Sequence, residues 1–300
     1  MRLSSDEFQP VTLDDRALFD GQYRRFPQAH SDNLFSTMVC WNHYADYRYL
    51  CTGRNLLLST TIDGETSFRY PIGPSPSSVL PDLLRMARDE GGSAPLYFFD
   101  RVSVQDFSRQ YPRIPVFEDR DFFDYIYSSD ELATLPGREY LTIRKQINKF
   151  RRECRYSLEP MTASLTEDVL EFLKEWCEWK QCEEQPLLNY ERDAVLFAVG
   201  HFEDIGLEGL VLRVDGAIMG LSLFTRQNPE TAVIHFEKAL PECPGAYKVI
   251  NQEAARLLAP RYPCCNRESD LGVRGLRKAK LRYHPHHFAR VWYIRGEDLE

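Results

Sequence analysis

The 300-residue chain contains no uninterrupted apolar run of the ~18 residues that a membrane-crossing helix needs. Its start, MRLSSDEFQPVTLDDR, has neither the apolar core of a secretory signal nor the arginine-rich, acid-poor character of a transit peptide. The sequence is therefore expected to be cytoplasmic, either free or peripheral at a membrane. There is no GxxxxGK[ST] phosphate loop, no GxSxG elbow and no HExxH, and GVRGLRK is not a GxGxxG fingerprint. These absences argue against an ATPase, an α/β-hydrolase, a zinc peptidase and a dinucleotide-binding enzyme. Net positive charge is missing too: 37 Lys and Arg face 45 Asp and Glu, a balance of -8 that excludes coating of nucleic acid or anionic membrane by a global field. Any anion binding must be local.

Eight cysteines are scattered with no CxxC pair, which reads as reduced, mostly buried thiols and no metal site. His284, His286 and His287 surround Pro285 and read as a solvated turn rather than a metal tract.

What the sequence does contain is a repeated order of elements. NLLLSTTIDGETSFRYPI (55–72) and GLVLRVDGAIMGLSLFTR (209–226) each read as a hairpin around Asp-Gly. Each precedes a helix, PSSVLPDLLRMARDEGG or PGAYKVINQEAARLLAP, then a strand, a short charged helix and a last strand. Tandem duplication of one α/β unit explains the order. The predicted fold is α/β with two such units, residues 1–135 and 156–300, each a mixed, mostly antiparallel sheet flanked by helices. Residues 136–155 form a connecting amphipathic helix, with Ile143, Ile147, Phe150 and Cys154 on one face and basic residues on another. Two further helices are expected, one capped by Thr166 with Val169, Leu173, Trp176 and Cys177 inward, the other capped by Asn189 with Val195, Leu196, Val199 and Phe202 inward. Trp179 falls off its stripe, which makes it a candidate pocket wall.

Five cationic side chains, Arg274, Arg277, Lys278, Lys280 and Arg282, crowd one turn and short helix in NRESDLGVRGLRKAKLRYHP. Leu276, Ala279 and Tyr283 are its expected buried face. Like charges at this density repel unless acids or a ligand answer them. With Asp270 at the preceding strand end and Gly272 and Gly275 in the turn, the segment favours an anion, against the plainer reading of a solvated face balanced by Glu268 and Asp270. A second candidate lies where Glu237 and Lys238 end a strand and the next helix starts at Gly245, carrying Tyr247 and Asn251.

These stretches, together with GREYLTIRKQINKFRR and PGAYKVINQEAARLL, resemble the family that includes the C-terminal domain of phosphatidylglycerol lysyltransferases, long catalogued as a domain of unknown function. The likeness spans nearly the whole chain and is closest in the soluble, stand-alone branch. It implies two tandem GNAT-like acyltransferase units and transfer of an aminoacyl group from aminoacyl-tRNA to an amine or hydroxyl acceptor, a phospholipid head group in the better-known members. The matched positions are Asp270, Gly272, Gly275, Leu276, Arg277, Lys278 and Lys280, with Arg144, Phe150, Gly245 and Asn251 less specific. On this reading Asp270 or Glu237 handles the proton. Lys238, Gly245, Tyr247, Asn251, Gly272, Gly275, Arg277, Lys278, Lys280 and Trp179 line the substrate, and Arg144, Lys145, Lys149, Arg151 and Arg152 track tRNA backbone. An activated ester donor needs no cofactor. The alternatives are an acyl-CoA-dependent N-acyltransferase using the Gly245 helix start, and a ligand-binding protein without turnover.

Overall fold

A computed structural model describes residues 3–299. Among them, one compact unit holds the residues up to Asp124, Ser269–Val273 and those from Phe288 on; the other holds Tyr125–Glu268 and Arg274–His287. In chain order the strands are β1 (Gln9–Pro10), β2 (Arg48–Thr52), β3 (Asn55–Ile62), β4 (Glu65–Arg69), β5 (Gly91–Phe98), β6 (Phe117–Glu118), β7 (Asp124–Ser128), β8 (Tyr156–Pro160), β9 (Glu208–Val214), β10 (Ala217–Arg226), β11 (Thr231–Ala239), β12 (Cys264–Asn266), β13 (His287–Ala289) and β14 (Trp292–Ile294). They form two seven-stranded sheets, β1-β2-β3-β4-β5-β14-β6 and, read the same way, β8-β9-β10-β11-β12-β7-β13. Position by position the orders correspond, and in each a parallel pair, β4 with β5 or β11 with β12, sits among antiparallel neighbours. Each parallel pair is bridged by a helix, Leu80–Glu90 or Ala246–Leu258. The fold is a tandem of two GNAT-like units, each a mixed, mostly antiparallel sheet with helices.

The repeat holds, but its register differs from the expectation by one strand. The turns at Asp63-Gly64 and Asp215-Gly216 do adopt the left-handed backbone that such tight turns require. They join β3 to β4 and β9 to β10, which occupy different places in their sheets; the counterpart of β9–β10 is β2–β3. The last strands also exchange places. β7 pairs with β12 in the second sheet, while β14 pairs with β5 and β6 in the first.

In the second unit β10 and β11 are buried along nearly their whole length because helices cover both faces, which is why AIMGLSLF and AVIHF read as continuous apolar runs rather than alternations. Helices Leu141–Glu153 and Ala246–Leu258 pack on each other, and Thr166–Lys180 packs on β10 and β11. Ile143, Ile147 and Phe150 are the buried face of the first, as the spacing predicts. Thr166 does not cap its helix, whose N-cap is Leu165, and Asn189 lies inside a helix that begins at Pro186, because proline pre-sets the first-turn backbone three residues earlier. Leu276 and Ala279 are exposed rather than buried; the eight-residue helix Arg274–Leu281 buries no side chain, and Tyr283 alone of that predicted face is in the core.

Candidate functional site

The β11–β12 ladder lasts three residue pairs, Thr231 to Val233 against Cys264 to Asn266, although β11 runs on to Ala239. Beyond the ladder two charged side chains meet. The Arg267 guanidinium donates to Glu237 at 2.7 Å, with only 10% and 4% of the two side chains exposed. Asn251, on helix Ala246–Leu258, donates its amide to both Glu237 oxygens at 2.9 and 3.1 Å. The rings of Tyr283 and Tyr127 lie 4.9 and 5.7 Å from the guanidinium carbon. Burial, the largest single influence, works to lower the Arg267 pKa, but the Glu237 carboxylate together with Tyr127, Tyr247 and Tyr283 outweighs it and the group is held above its ordinary value. Glu237 and Arg267 therefore form a fixed ion pair.

Three buried polar atoms around this pair have no hydrogen-bond partner within the protein: Asn251 Oδ1, Ser222 Oγ and Tyr283 Oη. Ser222 stands opposite Glu237 in the β10–β11 register, on the same face of the sheet. Buried polar groups are nearly always satisfied, so three unsatisfied ones around a single ion pair set this cluster apart as the candidate site. Burial pushes the Tyr283 phenol up to about 12, so at neutral pH it is a hydroxyl that can donate.

Tyr247 and Lys248 stand beside this pair in the first turn of the same helix, at i−4 and i−3 from Asn251. Tyr247 is 41% exposed, yet its hydroxyl lies close enough to feel Glu237 and Arg267. Lys248 is half-buried, and burial, then the charges of Arg267 and Arg282, holds its pKa below the ordinary value. A lysine so placed gives up its proton more readily than a surface lysine. At Gly245 (φ +106°) an added Cβ would come within 2.9 Å of the Gln146 carbonyl and 3.1 Å of Phe150 Cβ, so glycine sets the contact between the two helices. The amides of Ala246, Lys248 and Val249 bond to Cys243 or Gly245 carbonyls, leaving little of this helix start to cradle a pyrophosphate.

The structure separates the other expected site residues. Lys238 points to the opposite face of the sheet, where it bonds Glu191 and lies 4.3 Å from the Trp176 ring centre. Trp179 is exposed, with the Lys180 ammonium over its ring. Asp270 belongs to the first unit and is fully buried, accepting from Arg120 at 3.3 Å through one oxygen and from the Gly272 amide at 3.0 Å through the other. At Gly272 (φ +74°) an added Cβ would come within 2.8 Å of the Asp121 carboxylate, whereas one at Gly275 would meet nothing within 4 Å. Of the basic helix, Lys280 turns inward and its ammonium holds the carbonyls of Arg267 and Glu268, while Lys278 is exposed and Arg277 half-buried. Lys280 thus fixes the strand end that carries Arg267. On helix Leu141–Glu153, Arg144 donates to the Leu135 carbonyl and Arg151 to Gln252 and Glu253; Lys145, Lys149 and Arg152 remain on the surface.

Sequence reasoning missed Arg267, Ser222, Lys248 and the functional side of Tyr283. Lys248 shares a helical face with Tyr247 and Asn251, so it was in principle legible from spacing.

No group of three or more His, Cys, Asp or Glu side chains suited to a metal occurs among the described residues, and no helix there is long and apolar enough to cross a membrane. No curated protein matches the sequence. Among solved structures, a conserved protein of unknown function from Bacteroides thetaiotaomicron is 30% identical and superposes with a TM-score of 0.88, over 96% of this chain and 98% of that one. L-PGS from Bacillus licheniformis shares the fold at 14% identity and TM-score 0.64, covering 96% and 93%. FemX shares it at 10% identity and TM-score 0.60, covering 98% of both chains. The family model for the C-terminal region of phosphatidylglycerol lysyltransferase matches residues 23–295, and the chain belongs to that family.

Proposed function

We propose that the protein transfers an aminoacyl group from aminoacyl-tRNA to an amine or hydroxyl acceptor, at the Glu237–Arg267–Asn251 cluster of the second unit. The observation that carries this reading is the set of unsatisfied buried atoms, Asn251 Oδ1, Ser222 Oγ and Tyr283 Oη, gathered around one ion pair. An α-amino group bears the donors that Asn251 Oδ1 lacks, and an ester carbonyl can accept from the Tyr283 hydroxyl. The family name, and the shared fold of L-PGS and FemX, favour the same donor class.

In this mechanism the acceptor attacks the ester carbonyl, the carbonyl carbon–ribose oxygen bond breaks, and the acceptor's proton ends on the leaving ribose hydroxyl. Lys248, whose pKa is held below the ordinary lysine value by burial, takes that proton in its unprotonated form and returns it. Arg267 and Tyr283 present positive charge and a hydroxyl to the developing oxyanion, held in place in advance. Glu237, saturated by Arg267 and Asn251, positions these two rather than moving a proton itself. The exposed Lys145, Lys149 and Arg152 offer a salt-sensitive track for tRNA phosphates. Because the Gly245 helix start has used most of its first-turn amides, an acyl-CoA donor is the weaker reading.

The test is mass spectrometry of lipids and small peptides from cells with and without the protein, with the purified protein then supplied with charged tRNA or acetyl-CoA. A gain of one amino-acid residue in an acceptor, reproduced with charged tRNA alone, is the expected result. A gain of acetyl, or of nothing, overturns the proposal.

A further inference from the structure

The helix Thr166–Lys180 ends in a pair of thiols that the transfer reaction does not use. Cys177 sits in its last turn and Cys182 just beyond Gln181, which is left-handed (φ 53°) and folds the chain back. The two sulfurs lie 2.7 Å apart, inside van der Waals separation. Cys182 is buried and Cys177 half-buried, so a small oxidant meets Cys177 first. The cations Arg192 and Lys238 both face Cys177 closely enough to favour its thiolate. We propose that Cys177 and Cys182 are a redox modification site, a dithiol that closes reversibly to a disulfide and clamps the turn between helices Thr166–Lys180 and Pro186–Gly200.

The oxidant named is a low-molecular-weight disulfide such as glutathione disulfide. Cys177 loses its proton, attacks one sulfur of the disulfide and expels a thiolate; Cys182 then attacks the Cys177 sulfur of the mixed disulfide and expels the second. One disulfide is consumed, two small thiols are released, and the protein loses two hydrogens. Burial, with the neighbouring Cys182 thiol adding to it, pushes the Cys177 thiol up to about 12, so the first step is slow at neutral pH and the clamp answers sustained rather than brief oxidation. The native fold assists through proximity, since it has already brought the second sulfur to the first.

The sequence makes the test direct. Trypsin cuts after Lys180, which lies between the two cysteines, and releases Glu175–Lys180 and Gln181–Arg192 as separate peptides unless a disulfide joins them. The folded protein and the urea-unfolded chain are equilibrated across a series of glutathione redox buffers, alkylated, digested and analysed by mass. The expected result is the joined peptide in the folded protein at a ratio of oxidised to reduced glutathione at least tenfold lower than the unfolded chain requires, reversed by dithiothreitol. Cys182→Ser, a near-isosteric change, keeps the fold by circular dichroism and yields a glutathione adduct on Cys177 in place of the link. Equal ratios for folded and unfolded chain, or a link only between Cys154 and Cys243, whose thiols also lie within hydrogen-bonding reach of each other, overturn the proposal.

Discussion

Replacing Glu237 with Gln tests the centre of the site in the most quantitative way. The substitution keeps the shape and one acceptor oxygen, but removes the charge that answers Arg267, whose side chain is 10% exposed. It also turns an amide donor toward Asn251 Nδ2 or Arg267, both donors themselves. Breaking a buried ion pair from one side costs ~3–5 kcal/mol, because the remaining charge stays desolvated. Retention of one acceptor places the expected loss near the lower bound, about 3 kcal/mol, against a total stability of about 5–15 kcal/mol. Urea unfolding followed by the fluorescence of Trp176 and Trp179, both in the second unit, reads the loss as a lower midpoint. The decisive measurement is the double variant Glu237→Gln/Arg267→Met. Methionine follows the arginine stem and leaves no buried charge, so the double variant should recover at least ~2 kcal/mol relative to the sum of the single changes. Transfer should be lost in all three. If the two single effects simply add, Glu237 and Arg267 are not coupled and the preorganised pair is the wrong account of the site.

Lys248→Met should lower turnover by about 10²–10⁴-fold and abolish the limb of the pH profile that rises as Lys248 loses its proton, measured as kcat across pH 6 to about 10. Its stability effect has the opposite sign. The folded-state pKa of Lys248 lies below the unfolded value of 10.5, so between the two the unfolded chain binds more protons and stability rises with pH. Removing the amine should therefore raise the melting temperature near neutral pH, where that burial is costly, and flatten its dependence on alkaline pH. Asp270→Asn should destabilise the first unit, because both carboxylate oxygens hold its turn, yet leave the turnover of the folded protein unchanged by steady-state kinetics. Replacing Lys145, Lys149 and Arg152 together with Ala should reduce the slope of log affinity for tRNA against log salt by roughly 2–3 units in a binding titration, at about 0.9 for each phosphate no longer neutralised.

The legible parts of this molecule are those set by local chemistry. Asp-Gly turns at 63–64 and 215–216, the apolar face of Ile143, Ile147 and Phe150, and the glycine at 245 are each dictated by residues a few positions apart. Sheet partnership is not. Nothing local says that DYIYS joins one sheet and WYI the other, since any β-rich strand suits any edge whose face pattern matches. The site divides along the same line. Glu237, Tyr247 and Asn251 were accessible because they flank a recognisable strand-to-helix turn. Arg267 was not, because its significance lies in a carboxylate 30 residues away, and the cluster of cations downstream is the stronger local signal. Lys280 shows the cost of reading charge as function, for it spends its donors on two main-chain carbonyls.

The exchange of last strands bears on how the chain is made. Among the described residues β6 (Phe117–Glu118) meets its sheet through β14 alone, whose residues 292–294 are translated after the whole of the second unit. The amino-terminal half must therefore wait, edge exposed, while its successor is synthesised. A stop codon shortly before residue 292 would thus damage the half of the molecule that left the ribosome first.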